Sequence, residues 1–146
     1  MRFFITCALL SYSSLILSQT IEGKWKGKMY FPGTTDSTTI ELEMHFKKNK
    51  KLAGTTTCYF NNDNSAVTDI NITYDSLKNT LYIKEIRVIQ KRMLPDLTSF
   101  FLDEYYLNFE TEKKLSGIVK CYKYVQERVN VIPDCHPDMY IDLIKQ

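Results

Sequence analysis

Apolar and polar residues alternate one by one through nearly the whole of this 146-residue chain. In "IEGKWKGKMYF", Ile21, Gly23, Trp25, Gly27, Met29 and Phe31 share one face, while Glu22, Lys24, Lys26 and Lys28 share the other. "TIELEMHFK" repeats the pattern, with Ile40, Leu42, Met44 and Phe46 opposite Glu41, Glu43, His45 and Lys47. A helix, with its period of 3.6, would mix these sets, whereas a half-buried strand sorts them. Read in this way, the chain holds eight strands, near residues 21–31, 38–47, 51–60, 66–75, 80–92, 103–110, 114–125 and 138–145. β-branched and aromatic residues fill these runs, and Asn, Asp, Gly and Pro fill the gaps.

Two stretches are nearly the same: "KKLAGTTTCYF" from residue 50 and "KKLSGIVKCYKY" from residue 113. Each follows an alternating strand and a basic turn, so each reads as the second arm of a tight hairpin. Gly54 lies on the face of Leu52, and Gly117 on the face of Leu115. A glycine on the inward face of a strand points to a sheet that bends sharply or to another backbone passing close by. Gly23 and Gly27 fit the same role.

Eight sequential antiparallel strands with mostly short turns close most simply into an up-and-down barrel, which leaves no unpaired edge. A two-sheet sandwich is the alternative. In a barrel, the tight connections at 48–50, 76–79 and 111–113 would share one end. Those at 32–37, 61–65, 93–102 and 126–137 would form the other rim, where binding sites are usually built.

"MRFFITCALLSYSSLILS", residues 1–18, has one basic residue, an apolar run too short to span a bilayer and a small residue at its end, the pattern of a secretory signal peptide. Residues 19–146 then form a single barrel domain, secreted or periplasmic, with no transmembrane anchor. Of 19 basic residues, loss of Arg2 leaves 18 against 17 acidic, and lysines fall in pairs at turns, Lys47 with Lys48, Lys50 with Lys51 and Lys113 with Lys114. This is not the clustered charge that nucleic-acid binding requires. Cys58, Cys121 and Cys135 remain after cleavage. Export favours a disulfide, and the preferred pairing is Cys121 with Cys135, with Cys58 as partner of either one as the alternative.

Gly23-Lys24-Trp25 on the first strand resembles the G-x-W signature of lipocalins, in which the Trp closes the tight end of an eight-stranded barrel. The "EGKWKGKMY" start, "KLSG" and the "CHPDMYIDLIK" ending look like uncharacterised secreted bacterial proteins with a lipocalin-like barrel. The resemblance implies an all-β, lipocalin-like barrel, here without a C-terminal helix, and it implies export. It supplies no activity.

No G-x-S-x-G or H-E-x-x-H motif is present, and neither His136 nor His45 has an evident nucleophile beside it. No catalytic residue is therefore assigned. Asp134-Cys135-His136-Pro137-Asp138 concentrates potential ligands, but His45 is expected on an outward face at mid-barrel, and a structural turn is favoured. No metal or cofactor is expected. Asp103 and Glu104 read as a strand start, and adjacent Lys84 and Glu85 argue against a lipid-facing barrel, since one of them must point outward. The leading expectation is a non-enzymatic barrel that binds a small apolar or amphipathic molecule. Inward Trp25, Met29, Leu42 and Met44 would line it, and loop 93–102, with Leu97, Phe100 and Phe101, would be its lid. The rival is an interaction or structural module with a filled interior, whose loop rim contacts a protein partner.

Overall fold

The computed structural model describes residues 21–60, 64–92, 99–126 and 136–146. Its strands are β1 (Gly23–Tyr30), β2 (Ser37–Phe46), β3 (Leu52–Tyr59), β4 (Ser65–Asp75), β5 (Thr80–Arg92), β6 (Ser99–Thr111), β7 (Lys114–Gln126) and β8 (Met139–Lys145). Each strand pairs with the next in antiparallel fashion, and β8 pairs with β1, so the sheet closes into a barrel. The sandwich alternative is thereby excluded.

The alternation seen in the sequence becomes inside and outside. Trp25, Met29, Ile40, Leu42, Met44, Ile70, Leu81, Ile83, Leu107, Leu115, Ile141 and Leu143 are buried in one core. His45 is exposed on the outer face. That outer face carries cross-strand ion pairs, with Lys26 to Glu41 and Lys84 to Glu104 both at 2.7 Å. Exposed pairs contribute little to stability. Their placement nevertheless gives the wall a charged exterior, unlike the apolar band of a lipid-facing barrel. No helix among the described residues is long and apolar enough to cross a membrane.

At the tight-turn end the barrel is sealed by aromatic rings. Trp25 is fully buried. Its Nε1 donates to the Ile21 carbonyl at 3.2 Å, and its ring meets Phe109 edge-on at 5.9 Å. Phe109 in turn packs edge-on against Tyr74 at 6.0 Å. Burying a side chain of this size contributes about 3 kcal/mol, and the hydrogen bond removes the penalty of a buried indole N–H.

The duplicated segments have one structural cause. Gly54 lies opposite Met44 in the β2–β3 hairpin, and Gly117 opposite Leu107 in the β6–β7 hairpin. A Cβ at Gly54 would fall 1.8 Å from the Glu43 carbonyl oxygen, and one at Gly117 would fall 2.0 Å from that of Tyr106. Both sites coil so tightly that the neighbouring backbone occupies the space of a side chain. Gly27 does the same at the seam between the first and last strands, where a Cβ would fall 1.7 Å from the Asp142 carbonyl oxygen. Because backbone cannot swing aside as a side chain can, Gly54→Ala or Gly117→Ala should each destabilise the barrel by at least about 2 kcal/mol in chemical denaturation. Unchanged midpoints would show that the sheet has room to relax.

Candidate functional site

The β5–β6 ladder runs from Thr80 opposite Asn108 only as far as Lys84 opposite Glu104. Beyond that point β5 continues to Arg92 against β4, and β6 extends back to Ser99 against β7, so two hairpin arms part company. Parting exposes backbone groups that must find new partners. Glu85 is the next residue on β5 and points inward. Its Oε2 accepts from the Asp103 backbone N–H at 3.1 Å. Its own carbonyl accepts from the Tyr122 hydroxyl. Side chains have thus taken over where the ladder stops. Irregularities lie on both sides of the fork, between Asp69 and Ile70 on β4 and between Leu102 and Asp103 on β6. Bulges of this kind re-aim side chains beside sites.

Glu85 is 2% exposed. Its Oε1 accepts from the Thr68 hydroxyl at 2.9 Å and the Tyr105 hydroxyl at 2.8 Å, and also from Thr56. Burial pushes its carboxyl upward, and the nearby Asp103 charge adds to this, against the opposing hydrogen bonds. Tyr105 is held well above the usual phenol range by burial and then by Glu85. The Cys58 thiol is likewise raised by burial, with Glu85 and Asp103 adding to it. Such a thiol is a weak nucleophile.

Asp103 reaches in the other direction. His136, in the segment that leads into β8, places Nε2 3.0 Å from Asp103 Oδ1. Its Nδ1 lies 2.7 Å from the Pro137 carbonyl oxygen. Both partners only accept, so an imidazolium that donates from both nitrogens satisfies the geometry. Burial alone would lower the His136 pKa. The Asp103 hydrogen bond, the Pro137 carbonyl and the Asp103 and Asp138 charges outweigh it, and the net shift is upward. Phe31 and Phe101 pack edge-on against the ring at 6.2 and 5.1 Å.

Between these groups lies a cavity of about 200 Å³. Met29, Phe31, Cys58, Phe60, Ala66, Phe101 and Met139 supply most of its wall, and Thr38, Thr68, Glu85, Asp103 and His136 supply its polar points. It is a cup at the end of the barrel opposite the Trp25 plug, smaller than the roughly 300–1,000 Å³ of pockets for drug-sized ligands.

Of the residues that the sequence proposes, Met29 and Phe101 meet in this cup. Trp25, Leu42 and Met44 do not line it; they are packed in the core below, each at most 2% exposed. The lid reading of loop 93–102 needs correction, because residues 99–102 are the first part of β6, with Phe100 opposite Val125 and Phe101 opposite Tyr124. Leu97 lies outside the described residues. Cys121 is disulfide-bonded, Cys58 is free, and Cys135 lies outside the described residues.

Glu85, Asp103 and His136 are the residues the sequence reading missed as a site. Glu85 had a visible signal, since Leu81, Ile83 and Glu85 share one face of their strand and a carboxylate on that face must be buried. Asp103, Cys121 and His136 bring potential ligand atoms within 4.8 Å of one another. The Cys121 sulfur is committed to its disulfide, however, and the other two groups bond each other.

Fold and site together define a closed eight-stranded antiparallel barrel with a small acid-lined cup at one end. No protein-family model matches the sequence, and no curated protein is significantly similar to it.

Two outcomes test the network. Glu85→Ala would strand the Tyr105 hydroxyl, the Asp103 N–H and one of the Thr56 and Thr68 hydroxyls, which also bond each other. At about 1–3 kcal/mol for each buried donor left unpaired, partly relieved by relaxation, the loss in urea denaturation should reach at least about 3 kcal/mol. The His136 pair should respond to pH. A pKa raised on folding means that the folded state binds the proton more tightly. The pair's stabilisation is therefore complete below the ordinary histidine pKa of 6.5 and is lost as pH rises through the higher folded value. His136→Gln should flatten that part of the stability profile; an identical slope in the variant would show that the pair is not coupled to folding.

Proposed function

We propose that the protein is a lipocalin-like, non-enzymatic barrel that carries one small amphipathic molecule in the cup. The observation that carries this reading is the combination within one cup: an apolar wall of Met29, Phe31, Ala66, Phe101 and Met139 with polar atoms gathered at one place, Glu85, Asp103 and His136. A wall of that kind excludes water, and polar groups placed in this way fix the orientation of a bound molecule. The proposed carrier works outside the cytoplasm, exported by residues 1–18. Its disulfide joins Cys121 to Cys135: Cys121 is the strand partner of Asp103, and Asp103 holds His136, the chain neighbour of Cys135.

A second reading rests on the outer wall. Tyr82, Tyr106, Ile118, Tyr140 and Tyr30 are successive cross-strand partners from β5 round to β1. Tyr106, Ile118 and Tyr140 are 43%, 38% and 46% exposed. Such a row suits contact with a protein partner.

Native mass spectrometry of the chain, disulfide intact and incubated with a lipid and metabolite extract, separates the two readings. The carrier reading expects a reproducible adduct that Ala66→Leu, which fills the cup, weakens at least tenfold while the variant stays folded. A bare mass throughout would overturn it and turn attention to the tyrosine row.

A further inference from the structure

We propose that the cup selects a small cationic amine with an apolar body, in preference to neutral or anionic molecules of the same shape. The inference rests on the carrier reading above and adds the chemical class of the ligand. Among the described residues that line the cup there is no Lys or Arg, while two carboxylates, Glu85 and Asp103, face it. Among those described residues the one basic group is His136, and its Nε2 is already spent on Asp103. With His136 protonated, the imidazolium offsets Asp103, so the charge of the cup follows Glu85, whose carboxyl is pushed upward by burial and which a bound cation would favour in its ionised form. With His136 neutral, the cup is more negative. An anionic head group would meet two carboxyl groups and, among the described residues, no Lys or Arg to receive it. A neutral head would gain no charge compensation.

An ammonium supplies what the site lacks. It has three donors, and the acceptors with spare capacity are on the carboxylates. Among the described residues, the hydrogen bonds to the Asp103 carboxylate fall on Oδ1 alone, which leaves Oδ2 as an acceptor on a side chain more than nine-tenths buried. Among the described residues, Glu85 Oε2 accepts only the Asp103 N–H and can take a second donor. Both residues line the same apolar cup, so a cation held there would be charge-paired in a poorly screened site, where such pairs are strongest. Size restricts the body of the ligand. About 200 Å³ equals the space of roughly six or seven waters, which admits one ring or a short chain and excludes a sterol or a long acyl chain. Phe31 and Phe101, already edge-on to His136, provide ring faces at the same end.

The test compares three probes on one skeleton, 2-phenylethylamine, 2-phenylethanol and 3-phenylpropanoate, by titration calorimetry against the unmodified chain with its disulfide intact at neutral pH. The amine should bind at least tenfold more tightly than either analogue. Glu85→Gln and Asp103→Asn, each verified as folded by near-ultraviolet circular dichroism, should each reduce that preference at least threefold. The comparison of probes on the unmodified chain stands even where a variant fails to fold. Equal or tighter binding of the alcohol or the carboxylate would overturn the amine inference and leave a binding barrel of another specificity. Binding of none of the three at millimolar concentration would also overturn it, and the extract experiment then decides separately whether the barrel carries anything.

Discussion

The organisation of this barrel depends on where one ladder stops. Beyond Lys84 and Glu104, β5 and β6 no longer pair, and the N–H of Asp103 and the carbonyl of Glu85 must be satisfied by side chains. Leaving those groups bare inside the protein would cost as much as a lost hydrogen bond for each. The carboxylate of Glu85 satisfies one of them and, in doing so, must itself be buried. Its burial in turn requires the Thr56, Thr68 and Tyr105 hydroxyls. Each polar group of this network is thus the consequence of another, and the chain of consequences begins with two arms that separate to open a cup.

The two ends of the barrel solve opposite problems. At the tight-turn end, Trp25, Phe109 and Tyr74 fill the lumen with rings. Eight strands leave a lumen just wide enough for side chains to fill. Toward the other end the residues that point inward become smaller or polar: Thr56 and Cys58 on β3, Ala66 and Thr68 on β4. The same wall therefore changes from packed to hollow along its length. The glycines act on the wall itself. Gly27, Gly54 and Gly117 each let a neighbouring carbonyl oxygen occupy the position of a side chain, which permits coiling tight enough for so short a chain to close.

Strand positions and the inward faces of β1 and β2 were legible because alternation is a local signal and one buried face enforces it. The repeated Leu-x-Gly was legible for the same reason, as a local answer to crowding. The mouth was not. Residues 99–102, with two phenylalanines in a row, lack the alternation of a one-sided strand and were read as loop, but they pair with β7 as far as Ser99 opposite Gln126. The irregularity at Leu102 and Asp103 then buries two consecutive residues, which simple alternation forbids. The bond between Asp103 and His136 joins positions 33 residues apart, and no pattern along the chain announces it.

The same distance makes the clamp effective. His136 enters β8 through a segment that could leave the barrel, and three attachments hold it near the cup: the Asp103 carboxylate, the edges of Phe31 and Phe101, and Pro137, which stiffens the backbone beside it. Cys121, the strand partner of Asp103, is itself cross-linked. A carboxylate that holds one imidazole is costly to bury, and that cost is offset only if its partner is kept in place. The Phe31 and Phe101 rings keep it there. The resulting wall brings the carboxyl groups of Glu85 and Asp103 and the His136 ring to a cup otherwise lined mostly by apolar side chains. A barrel stabilised only by packing would have placed an apolar residue at Glu85 and extended the β5–β6 ladder to the rim; this one keeps the acid and the gap, and both face the same small space.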